Sequence, residues 1–209
     1  LTFPNNDGNA NQFLQTNGSG VLSFADAGGT LVEVADSKNA NATGNITLDN
    51  IFTTDYIIYK IFGVFVPASN GASLLMTLRS SAPADLTGDN YNYVVGVTRN
   101  NSSNSIGEGN NANYGTSAFD LQYGGNNTNV DYPMNFEITM YDPRSSFVGG
   151  KNINYRCSHF GNDSKMYISV GSGTYKASGD AYGFKLAFSS GDVKKHKVTV
   201  YGIKGTDIA

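Results

Sequence analysis

The clearest pattern in the chain is the alternation of MNFEITMY at 134–141. Met134, Phe136, Ile138 and Met140 fall on one face, and Asn135, Glu137 and Thr139 on the other. A period of two belongs to an extended strand with one buried and one wet face. Phe184, Leu186 and Phe188 alternate with Lys185 in the same way, as do Val198 and Val200 with Lys197 and Thr199. Further strand-like runs lie at 31–34, 56–66, 74–79, 91–98, 118–123, 153–160 and 166–170. About ten such segments, separated by turn-rich stretches, predict an all-β fold, a jelly-roll-like antiparallel β-sandwich. No internal repeat is visible, which argues against a propeller or β-helix.

Two long polar stretches interrupt the strands. Residues 99–117 and 124–133 are rich in Asn and Gly and are expected to be loops leaving opposite ends of a strand at 118–123. Residues 1–29 also stand apart. Gly, Asn, Asp, Ser and Thr dominate there, and the large apolar residues are Leu1, Phe3, Phe13, Leu14, Val21, Leu22 and Phe24. So little apolar surface does not offset the entropy of ordering the segment alone. The chain therefore divides into a docking or trimerisation arm at 1–29 and a sandwich domain at 30–209. The arm is expected to be held by its own domain, by identical neighbouring chains or by another protein, with Phe3, Phe13, Leu14, Leu22 and Phe24 as its assembly residues.

Composition sharpens this reading. The chain has 209 residues with 25 Gly, 25 Asn, 13 Tyr and 12 Phe, against 3 Glu and 3 Gln. Good helix formers are scarce, while turn formers and aromatics are plentiful. One cysteine excludes an internal disulfide framework. A net charge of -3 removes the broad basic surface expected of a nucleic-acid binder, so no nucleic acid is expected as a partner. The longest apolar run, 56–66, contains Lys60 and is too short to cross a bilayer, so no membrane insertion is expected. The sequence opens without an initiator Met or a leader and reads as trimmed or as cut from a longer polypeptide.

The two ends carry a resemblance. FPNNDGNANQFLQTNGSGVLSFADAGG, with Pro4, Asp7, Gly8, Gln12, Leu14, Thr16, the turn Asn17-Gly18-Ser19-Gly20, Leu22, Phe24 and Asp26, resembles a short module of bacteriophage tail fibres and other virion appendages. The turn supplies residues able to adopt positive φ between two short apolar strands. Phe24 stands where a Trp is frequent. KVTVYGIKG at 197–205 is similar to the last strand of many phage fibre and virion β-sandwich domains. The resemblance implies a non-enzymatic virion structural protein, tail fibre or capsid appendage, commonly a homotrimer. It would attach to other virion proteins or to a host surface glycan. A capsid decoration or connector protein, and a polysaccharide-degrading tailspike-like enzyme, are the alternatives.

Candidate chemistry is sparse. GEGNNA at 107–112 fits a dinucleotide-loop string but lacks the flanking strand and helix, and reads as a loop of small residues. Cys157 and His159 share one strand face with Ile153 and Tyr155, and a core role is favoured over a nucleophilic pair. The lysines around His196 read as a solvated face. Asp85, Asp89 and Asn90 are oxygen donors of the kind Ca2+ takes, yet their residue types also suit a turn. Neither catalytic residues nor a cofactor are expected. Tyr114, Tyr123 and Tyr132, on or beside the Asn-rich stretches, are the candidates for binding sugars, since a ring covers a sugar's apolar face while amides bond its hydroxyls.

Overall fold

The alternating segments become paired strands, and the pairing partner of each fixes which face is wet. The computed structural model describes residues 1–9, 12–26, 31–100, 106–125, 128 and 132–204. Its strands are β1 (Gln12–Thr16), β2 (Leu22–Asp26), β3 (Leu31–Asn39), β4 (Ile46–Leu48), β5 (Tyr56–Pro67), β6 (Leu74–Arg79) and β7 (Tyr91–Asn100). They continue as β8 (Ile106–Thr116), β9 (Phe119–Asp120), β10 (Met134–Tyr141), β11 (Lys151–Phe160), β12 (Met166–Tyr175), β13 (Gly183–Phe188) and β14 (Val193–Lys204). No helix occurs among the described residues. The chain forms two compact units, Leu1–Leu31 and Val32–Ala209.

The larger unit is an antiparallel β-sandwich with jelly-roll strand order. One sheet contains β3-β14-β5-β10 and the other β4-β13-β6-β9, so first strand neighbours last in each set. Two insertions widen the first sheet to eight strands: β7–β8, between β6 and β9 in sequence, and β11–β12, between β10 and β13. The core lies between the sheets. Tyr59, Ile61 and Phe65 from β5 and Ile138 and Met140 from β10 pack with Leu74, Met76 and Leu78 from β6 and Phe184 and Leu186 from β13. All are at or near complete burial, which is the main favourable term in folding.

Three expectations need correction. The stretch 99–117 is not a long loop: Ile106–Thr116 is strand β8, paired antiparallel with β7, and within the stretch only 101–105 lie outside the described residues. Backbone groups of small polar residues pair with an open sheet edge as well as any others do. Asn113 adds a side-chain tie, its Nδ2 donating to Tyr93 Oη at 2.8 Å and to Asn111 Oδ1 at 3.1 Å. Correspondingly GEGNNA belongs to a strand, not a loop.

The expected strand at 118–123 shrinks to Phe119–Asp120, because Leu121 already turns away after bonding Leu74 O. The two Asn-rich stretches also do not leave opposite ends. Asn100 Oδ1 accepts from the Met166 N–H at 2.6 Å, and the Asn162 N–H donates to Gly125 O at 3.2 Å. Both contacts fall at the β11–β12 turn, so the end of β7 at Asn100 and the start of 124–133 share one end of the sandwich. Residues 126, 127 and 129–131 lie outside the described set.

Candidate functional site

The N-terminal unit is a two-stranded ribbon. Leu14 pairs with Phe24 and Thr16 with Leu22, which sets Leu14, Leu22 and Phe24 on one face and Phe13 with Ala25 on the other. The turn forms as its residues require: Gly18 and Gly20 have φ of 78° and 84°, and Asn17 Oδ1 accepts from the Ser19 N–H at 2.8 Å and the Val21 N–H at 3.2 Å. Thr2 adds a bridge to Val21. A ribbon of two strands has no interior, so its apolar side chains stay in water. Phe3 is 61% exposed, Phe13 48% and Leu14 49%, while Leu22 and Phe24 are half-buried.

Two of the three tyrosines, Tyr114 and Tyr123, lie well apart. Tyr114 lies in β8, 80% exposed, with Lys176 Nζ 4.0 Å above its ring. Tyr123 is half-buried; its ring lies against Gly109 and its N–H donates to Ser169 Oγ at 3.1 Å. Gly109 and Tyr114 are five residue steps apart along β8, about 17 Å. Tyr132 stacks on Phe160 at 4.5 Å between centroids and 21° between planes.

The wet face of the large sheet holds two adjoining grooves that sequence reasoning missed. One, of about 490 Å3, is lined by Phe62, Asn135, Glu137, Arg156 and Thr199 among others. The other, of about 690 Å3, has Val64, Val66 and Pro133 on its floor and Lys38, Lys195 and Lys197 on its walls. They share Val64 and Lys197. Lys60 Nζ reaches Glu137 Oε1 at 3.2 Å and donates to Thr139 Oγ1 at 2.7 Å. His196 closes the second groove from beneath, its Nε2 within 2.9 Å of Ser37 Oγ; burial holds its pKa below the ordinary value.

The remaining titratable candidates are either buried in the core or held in ion pairs. Cys157 is 1% exposed and burial pushes its thiol well up, opposite to what a nucleophile needs. His159 is equally buried, stacked on Tyr167 at 5.0 Å, and no hydrogen bond reaches either ring nitrogen. Burial pushes its pKa down to about 4, only partly offset by the nearby Gly124 backbone. Asp85 is taken up by Arg79 Nη1 at 2.5 Å and by Lys185. Burial alone would raise its pKa, but those two cations outweigh it and hold the carboxylate below its usual range. Asp85 is thus committed to these two cations, and no group of three or more His, Cys, Asp or Glu side chains that could hold a metal occurs among the described residues.

No family model and no curated protein matches the chain. Among solved structures, the crystal structure of an exo-inulinase from Aspergillus awamori is similar at a TM-score of 0.37 and 14% identity, over 94% of this chain and 35% of that one. The chain thus spans about a third of that protein's length. A likeness of this degree bears on neither mechanism nor substrate.

Proposed function

We propose that the chain is a virion appendage protein of phage tail-fibre type, in which the N-terminal ribbon assembles three copies and the sandwich attaches to a host surface or to neighbouring virion proteins. The observation that supports it is the ribbon itself: an ordered turn and register carrying Phe3, Phe13 and Leu14 with about half of their surface or more in water. Exposed apolar residues on both faces of so small an element mark surfaces that are covered in the working assembly. Three ribbons meeting about an axis would bury both faces, as closed rotational symmetry permits. Weak contacts by each sandwich would then add through multivalent presentation.

The test is the mass of the full chain in solution, measured by sedimentation equilibrium. A trimer is expected, and Leu14→Asp should convert it to monomer with the far-ultraviolet spectrum of the sandwich unchanged. A wild-type monomer whose amides in residues 1–26 resist exchange as firmly as those of β5 would overturn the reading.

A further inference from the structure

The wet face of the large sheet gathers positive charge that the chain itself does not neutralise. Lys38, Arg156, Lys195 and Lys197 line the two grooves, and none has an ion-pair partner among the described residues. The one carboxylate in the lining, Glu137, is already engaged by Lys60. This concentration occurs in a chain whose net charge is -3. Like charges held together on one surface attract a counter-charge from outside. Amides and hydroxyls of Asn39, Asn41, Asn135 and Thr199 line the same grooves, with the apolar Val64, Val66 and Pro133.

We propose that the two grooves form one track for a linear acidic polysaccharide. Carboxylate or sulfate groups of the polymer pair with Lys38, Lys195, Lys197 and Arg156. Its hydroxyls bond the interleaved amides, and the apolar edges of the sugar rings rest on Val64, Val66 and Pro133. The track crosses β3, β14, β5, β10 and β11, four strand spacings or about 19 Å, which takes several sugar units rather than one. Single-stranded nucleic acid fits the same charge less well. Phe62 is the single exposed ring in the lining, short of the succession of stacking platforms that single-strand binders use. This inference rests on the attachment part of the reading above, and not on the trimer.

The experiment titrates the full chain calorimetrically with oligogalacturonate long enough to span the track. Neutral dextran of equal length is the control and a short single-stranded DNA the competitor. Oligogalacturonate should bind, weaken as salt rises, and lose about tenfold or more in affinity for the Lys195→Gln/Lys197→Gln/Arg156→Gln variant, while dextran does not bind. Acetylation of the wild-type chain supplies a readout independent of the variant's folding: Lys38, Lys195 and Lys197 should be protected by the oligosaccharide and Lys176 not. Absence of binding at about 1 mM, equal binding of dextran, unchanged affinity in the variant, or tighter binding of the DNA would each overturn the proposal. A trimer indifferent to oligogalacturonate sinks the track and spares the assembly, whereas a monomer that binds does the reverse.

Discussion

Phe136 lays its ring across the backbone of Gly63, its cross-strand partner between β10 and β5; a Cβ at position 63 would come within 2.1 Å of Phe136 Cζ. The ring then meets Phe65 edge-on at 5.1 Å. A glycine in the middle of the longest apolar run weakens a strand by itself, and here the aromatic ring fills the space its missing side chain leaves.

Gly63→Ala should therefore destabilise the sandwich by about 1–3 kcal/mol through overpacking. Phe136→Leu, which shortens the ring's reach, should recover part of that loss when combined with it. Urea midpoints of the two single variants and the double variant measure the coupling, and strictly additive effects would show that the two residues do not share the space.

A half-buried carboxylate and a buried imidazole should tilt stability in opposite directions over one pH window. Burial pushes Asp120 up to about 6, more than the hydrogen bonds from the Gln122 N–H and Ser73 pull it down. The folded chain thus binds this proton more readily than the unfolded one. Its contribution is full below about pH 4 and lost as pH rises through 6. Asp120→Asn removes the loss, and should gain up to about 3 kcal/mol at pH 7.5 relative to its effect at pH 4.

His159 runs the other way. Its pKa, depressed to about 4, means that the folded chain binds this proton less readily, so its contribution is present above pH 6.5 and lost as pH falls through 4. His159→Phe keeps the ring stacking on Tyr167 and should flatten the acid limb. Between pH 4 and 6 the two slopes oppose each other in the wild type. Thermal melts of each single variant across that interval should expose the other group's slope, and parallel curves for all three proteins would refute the assignment.

Tyr91 ties β7 to the opposite sheet. Its hydroxyl accepts from the Leu78 N–H at 2.9 Å and donates to Leu86 O at 2.7 Å, and burial holds the phenol well above its ordinary pKa. Tyr91→Phe leaves both backbone groups without that partner while keeping the ring's edge contact with Phe119. A loss of about 1–3 kcal/mol in denaturant unfolding is expected.

Arg79 clamps the connection between β6 and β7. Its Nε donates to Asp49 Oδ1 and its Nη1 to Asp85 Oδ1, both at 2.5 Å, and Nη2 donates to Pro83 O at 2.8 Å. Lys keeps the charge but not this fork, so Arg79→Lys should cost on the order of 2 kcal/mol. It should also raise amide exchange in residues 80–86 above that of β10. Equal exchange in the two proteins would mean that the segment is held by its backbone bonds alone.

Alternation of apolar and polar residues was enough to find β10, β13 and β14 and to name their inward faces, because a strand's two sides follow from local geometry. The Asn17-Gly18-Ser19-Gly20 turn was equally legible, since positive φ is a property of the residues themselves. β8 was not, because an Asn- and Gly-rich edge strand is stabilised by backbone pairing with β7, which no side-chain pattern announces. The grooves were hidden for a related reason. Lys195 and Lys197 read as a solvated face along the chain, and they become part of a charged track only when β3, β5, β10 and β11, distant in sequence, are brought beside β14 by hydrogen bonds across the sheet. Which side of a strand faces inward is settled residue by residue, whereas strand neighbours are chosen by the folded chain as a whole.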